Sequence, residues 1–125
     1  GLPYLGLGPA PHSFLEDAAG PLRRWNLPDL EGWIGALEAG IVPPRGEERP
    51  TPSQRLLERL MLGLRTREGV DLAAARSELG DAAVEAVLAR AAGPAATGLL
   101  RHRSGRLRPT LRGLAVADRL ALDLA

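Results

Sequence analysis

Residues 51–69 read TPSQRLLERLMLGLRTREG. Thr51 stands as a helix cap, Pro52 takes the first helical position, and Gln54 follows three residues after the cap. In this capping box the cap and its third successor satisfy each other's backbone amides. Leu56, Leu57, Leu60, Met61 and Leu64 then recur at helical spacing, and Gly69 follows the end. The stretch predicts an amphipathic helix, and the elements around it fall into place from there.

Downstream, Asp71 is placed to cap a second helix reaching about Leu79. Gly80 makes a tight turn, and Asp81 is placed to cap a third helix, with Val84, Val87 and Leu88 on one face. In LLRHRSGRLRPT, residues 99–110, Ser104 and Gly105 separate two short runs and predict a hairpin turn. Thr110 then caps a last helix, with Leu114, Ala117, Leu120, Ala121 and Leu124 expected inward. Helix, helix, tight turn, helix, hairpin, helix is the order of a winged helix-turn-helix unit. The predicted class is therefore mainly α with a small β-hairpin, and residues 51–125 form a winged-helix-like C-terminal domain.

Upstream, residues 21–50 read as a short helix and a linker. Asp29 caps the helix, Trp33, Ile34 and Leu37 form its apolar stripe, and Gly40 stops it; IVPPRGEERP, residues 41–50, is the linker. Residues 1–20 open with YLGLGPAPHSF at positions 4–14. Tyr4, Leu5 and Leu7 are strand formers, but glycines separate them and a Pro/Gly-rich loop follows. A strand with no evident partner implies that its neighbours lie outside this sequence.

Composition narrows the chemistry. All 16 basic residues are arginine, which excludes a P-loop and lysine Schiff-base catalysis. Without cysteine there is no thiol nucleophile, disulfide or iron–sulfur ligand. A net charge of +1 nominates neither nucleic acid nor membrane as a partner. No apolar run approaches the ~20 residues of a membrane span, and cytoplasmic location is the default expectation. Residue 1 is Gly rather than Met, so the expectation is of a processed chain or a piece of a longer protein.

Few residues suggest chemistry. GLGPAP shares the first G-x-G of a dinucleotide fingerprint, but Pro11 stands where the third glycine should open a helix. Gly6 and Gly8 instead suit a close approach to another backbone, or a loop lining a cavity built mostly by other residues. His12 and Ser13 are adjacent, so in extended chain they point to opposite sides and make a poor nucleophile–base pair. His102 lies among arginines with no ligand grouping around it, so no metal site is expected. Arg23, Arg24, Trp25 and Asn26 read either as a Trp anchor under Arg stems or as a carboxylate grip.

Arg101, Arg103, Arg106, Arg108 and Arg112 crowd the predicted wing. They are candidate contacts for phosphates, for an acidic protein or domain, or simply for water. The helix that would enter a DNA groove, DAAVEAVLARAAG, offers Asp81, Glu85 and Arg90 with no Asn, Gln or Lys for base edges, so no nucleic-acid partner is expected. No catalysis is expected from this chain alone, because nucleophile, base and stabiliser cannot be assembled from it.

Taken in order, YLGLGPAPHSF, RRWNLPDLEGWIGALEAG, ERLMLGLRTREGVDL and GRLRPTLRGLAVADRLALDL resemble the C-terminal portion of the radical-SAM family of oxygen-independent coproporphyrinogen III oxidase-like proteins, in particular its haem-chaperone (HemW-type) branch. The resemblance implies an N-terminal partial barrel that binds a [4Fe–4S] cluster through C-x-x-x-C-x-x-C, S-adenosylmethionine, and haem near an H-N-x-x-Y-W stretch. Neither motif is in these residues, so no cofactor is expected on this chain alone. Tyr4 to Gly8 would then be a late strand left over from that barrel, with Gly6, Gly8 and His12 nearest its cavity.

The implied partners are the chain's own barrel and a haem-acceptor protein, with Arg101, Arg103, Arg106 and Arg108 as contacts. A true porphyrinogen oxidase and a winged-helix nucleic-acid binder are the alternative readings. Where relatives read G-P-G-A-H-S, Ala10 and Pro11 depart; where they read L-T-P-K-G, Thr110 and Gly113 match but the proline has moved to Pro109.

Overall fold

A computed structural model describes residues 3–125. The chain divides into two compact units, one ending at Pro50 and one spanning Thr51–Ala125. Expectations for residues 1 and 2 lie outside the described residues.

The first unit is built on a three-stranded antiparallel sheet in the order β1 (His12–Asp17), β2 (Gly20–Asn26), β3 (Arg45–Glu48), with helix α1 (Leu30–Glu38) between the last two strands. This sheet corrects the sequence reading, which put residues 12–17 in a Pro/Gly loop, placed a boundary at residue 20 inside what is a hairpin, and treated 45–48 as linker. Its backbone ladders join segments distant in sequence, and exposed ion pairs, each worth little by itself, mark the same pairing. Arg24 Nε donates to Glu47 at 2.8 Å, Arg23 Nη1 to Glu48 at 3.2 Å, and Arg49 grips both oxygens of Asp17 at 3.0 and 2.6 Å. That grip, with the Ala19 amide, holds the Asp17 carboxyl below the ordinary carboxylate range.

Tyr4 makes one bridge to Phe14, its N–H donating at 2.8 Å and its carbonyl accepting at 3.0 Å. The expected strand from Tyr4 to Gly8 goes no further than that bridge among the described residues. Asp29 caps α1 by accepting from Gly32 N at 3.0 Å, and Gly40 at φ +68° ends it. The anticipated stripe on α1 is covered only in part: Trp33 is half-buried and Ala36 buried, while Ile34 and Leu37 are 42% and 49% exposed.

The second unit is mostly helical: α2 (Pro52–Gly63), α3 (Leu72–Leu79), α4 (Asp81–Ala96), α5 (Leu111–Leu114) and α6 (Ala117–Leu124), with strands β4 (Val70–Asp71), β5 (Leu100–Arg103) and β6 (Arg106–Pro109) forming a sheet in the order β4-β6-β5. With the first unit's sheet and helix, the chain is a helix-majority fold carrying two small antiparallel sheets. The capping box at Thr51 and Gln54 is complete, Asp71 accepts from Ala74 N at 3.0 Å, and Thr110 accepts from Gly113 N at 3.1 Å. Leu56, Leu60 and Leu64 are buried with Val84, Val87, Leu100, Leu107, Leu120 and Leu124 in one core.

Two expectations are corrected here. Asp81 is the first residue of α4 rather than its cap, which is Gly80 at φ +87°; the carboxylate pairs with Arg76 instead, at 2.9 Å. The last helix is also split, because Val116 leaves helical geometry at φ −126°. That break leaves Leu114 40% exposed and turns Ala117, Leu120, Ala121 and Leu124 toward α2 and α4.

Glu78 near the end of α3 ties that helix to α2, accepting from Arg55 Nε at 3.0 Å and from both Arg55 and Arg59 at Nη2. Burial pushes its carboxyl up, but the two arginines outweigh that, and it titrates below the ordinary glutamate value. A depressed folded value means that the stabilisation is fully present above the unfolded value and is lost as pH falls through the folded one. Glu78→Gln should therefore cost about 1 to 2 kcal/mol at neutral pH. In urea titrations the gap between variant and parent should close as the pH drops through this acid range; a gap independent of pH would contradict the assignment.

Candidate functional site

Two clusters carry the candidate residues, one in each unit. In the first, residues 4–11 fold back over the β1–β2 edge. Gly6 N donates to Ser13 Oγ at 3.0 Å, Asn26 Nδ2 to the Gly8 carbonyl at 2.7 Å, and Asn26 N to the Pro11 carbonyl at 3.2 Å. A Cβ added to Gly6 would overlap the His12 carbonyl oxygen and lie 2.6 Å from Pro11 Cβ, so only glycine admits this approach. Gly8 at φ +100° turns the chain, and Ala10 follows at φ +60°, a left-handed conformation that disfavours a side chain.

His12 is exposed on the sheet and stacks on Trp25 with ring centroids 6.0 Å apart. Trp25 in turn lies against Gly46, where an added Cβ would meet the indole ring. Gly6, Gly8 and His12 thus belong to one loop–sheet knot. Its polar centre is Ser13, the buried polar residue of the described chain at 5% exposure. In the sequence Ser13 stands beside His12 as a poor catalytic partner and as part of the resemblance, and neither signals that it receives the Gly6 amide.

The second cluster is the β5–β6 hairpin, turned through Ser104 at φ +53° and Gly105 at φ +69°. Arg101 lies opposite Arg108 and Arg103 opposite Arg106. Alternation along a strand sends these four side chains to one face, while Leu100 and Leu107, 2% and 0% exposed, face the core. Like charges placed directly opposite each other destabilise a sheet, and only the β6 pair is compensated. Arg106 Nη2 donates to Asp71 at 2.9 Å, and the Glu68 carbonyl accepts from Arg106 Nη1 at 3.4 Å and from Arg108 Nε at 3.1 Å.

Asp71 therefore serves twice, as cap of α3 and as counter-charge to the wing. The Ala74 amide, with help from Arg106, keeps its carboxyl below the ordinary range. The sequence signalled its capping role but not the second one, since Arg106 lies 35 residues away. Arg101 and Arg103 are exposed, and neither guanidinium has an ion-pair or hydrogen-bond partner among the described residues.

Among the described residues no three His, Asp or Glu side chains gather at one point, and no helix is long and apolar enough to cross a membrane. The donor set does not fit an iron–sulfur cluster, since the sequence holds no cysteine. What the chain does present is a knotted glycine loop beside uncovered apolar residues, and a basic hairpin.

Residues 51–116 match the family model described as HemN C-terminal domain. No curated protein and no solved structure matches the chain.

Proposed function

Since the chain belongs to the HemN C-terminal domain family, we propose that it is the accessory C-terminal part of a radical-SAM protein of the haem-chaperone branch. The match over residues 51–116 supports the family part of this reading, and the haem-chaperone branch rests on the sequence resemblance. In this proposal a [4Fe–4S] cluster, S-adenosylmethionine and haem are held by residues outside this chain, which has no thiolate to offer the cluster.

The first unit supports a docking role. Tyr4, Leu5 and Leu7 are 57%, 66% and 84% exposed, and α1 presents Leu30, Ile34 and Leu37 at the spacing of one helix face. An uncovered apolar surface of this kind marks an interaction site, and the parent's own barrel is the partner the family supplies. The chain itself does not react: it covers and positions, with the Gly6–Ser13 contact fixing the loop that would face the barrel.

The test is to express the whole reading frame containing this chain anaerobically, with iron and sulfide. A [4Fe–4S] absorption band, haem retained through gel filtration and no decarboxylation of coproporphyrinogen are the expected results. Decarboxylation would instead assign the parent to the oxidases. Absence of a C-x-x-x-C-x-x-C motif from that frame would overturn the family reading of the parent altogether.

A further inference from the structure

We propose that the outer edge of β5 accepts an extended acidic protein segment as an added strand, its carboxylates meeting Arg101 and Arg103. Only residues of the second unit enter, so the proposal stands apart from the assignment of the parent protein.

The backbone supplies the first half of the site. β5 pairs with β6 on one side and is the last strand of its sheet. Hydrogen-bonded and non-hydrogen-bonded positions alternate along an antiparallel pair. Thr110 N donates to the Leu99 carbonyl at 2.9 Å, so the same alternation turns Arg101 and Arg103 toward β6 and leaves the N–H and C=O of His102 directed away from it. His102 is exposed, and as one half of a non-hydrogen-bonded pair with Leu107 its backbone N–H and C=O have no partner among the described residues. An unpaired edge of this kind is a template for strand addition.

The side chains supply the second half. Arg101 and Arg103 lie two residues apart on one face, so their stems are separated by roughly 7 Å along the strand. Carboxylates at alternate positions of an incoming strand have the same repeat and would lie about 4.8 Å away across the new pairing. Each would meet one unpaired guanidinium and could be gripped bidentately. The pairing would also relieve the opposition of Arg101 to Arg108 and of Arg103 to Arg106, which Asp71 offsets at one position only.

A nucleic acid fits less well. The four arginines are confined to one short hairpin, whereas tracking a phosphate backbone takes charges distributed along a longer path. The first turns of α4 carry Asp81 and Glu85, both already tied to Arg76.

The experiment uses the 125-residue chain and a fluorescein-labelled peptide of alternating glutamate and valine. Binding is followed by anisotropy at low salt, beside a generic DNA duplex and vesicles of anionic phospholipid. The expected result is that the peptide binds more tightly than either, that Arg101→Gln with Arg103→Gln weakens it about tenfold, and that the His102 amide gains exchange protection in the complex. Tighter binding of duplex or vesicles, no loss in the double variant, or no protection at His102 would each overturn the proposal. Both arginines are exposed, so the variant keeps its core, and unchanged urea unfolding verifies that.

Discussion

Gly113→Ala is expected to destabilise the second unit by about 3 kcal/mol, the upper end of what overpacking normally costs. A methyl at this position would overlap the Leu99 carbonyl oxygen and lie 3.0 Å from its carbon and 3.3 Å from Pro109 Cβ. Leu99 is backbone held by its own bonds, donating to the Pro94 carbonyl at 2.8 Å and accepting from Thr110 N at 2.9 Å. Pro109 is ring-locked and stands opposite Leu100 across the hairpin. Neither neighbour can rotate away, so relief requires moving the start of β5, where Leu100 is 2% exposed, or the α5 turn with its Thr110 cap. Urea unfolding followed by helical ellipticity measures the cost. Gly35→Ala is the control, because its added methyl meets nothing within 4 Å in α1 and should stabilise by roughly 0.5 to 1 kcal/mol through backbone entropy. A loss below about 1 kcal/mol at Gly113 would mean that the β5–α5 junction yields more easily than its hydrogen bonds imply.

The contrast between these two glycines mirrors what could and could not be read from sequence. In the second unit the deciding interactions are local. Thr51 reaches Gln54, Asp71 reaches Ala74, and Thr110 reaches Gly113, each three residues on; Leu56, Leu60 and Leu64 report burial through their spacing. The first unit is less legible because its sheet joins segments far apart in sequence, as the exposed pairs Arg24 with Glu47, Arg23 with Glu48 and Arg49 with Asp17, 23 to 32 residues apart, also show. Its strands HSFLED and GPLRRWN do not alternate apolar with polar, so period gave no signal. Trp25, read as an anchor or part of a carboxylate grip, packs against Gly46 across the sheet. The α1 stripe was visible at Ile34 and Leu37, but helical spacing says nothing about what covers a face.

The candidate sites divide along the same line. The arginine cluster was visible as composition, but its division into compensated Arg106 and Arg108 and unpaired Arg101 and Arg103 depends on hairpin register and on Glu68 and Asp71 behind it. The close approach at Gly6 was anticipated from residue type alone, whereas its receiving group, Ser13, emerged only from the fold-back of the loop. Ala10 at φ +60° holds a left-handed conformation that glycine would adopt without the cost of a side chain.

Leu60→Ala should cost about 4 kcal/mol, toward the upper end of buried leucine truncations. Leu60 is fully buried near the middle of α2, the helix that meets α3, α6 and β4. With three elements held in place by their own caps and ladders, the site has little freedom to collapse, and most of the removed volume should persist as a cavity. Leu62, two residues on and 68% exposed, is the matched control, and Leu62→Ala should stay within about 0.5 kcal/mol of the parent. Native-state hydrogen exchange extends the measurement to the wing. Leu107 is fully buried in β6 and shares the core with Leu60, so its amide should lose protection by the same free energy if helices and hairpin unfold together. A hairpin amide that kept its protection while the helices lost theirs would make the arginine-bearing strands a separately stable element, and would overturn the single-core reading of Thr51–Ala125.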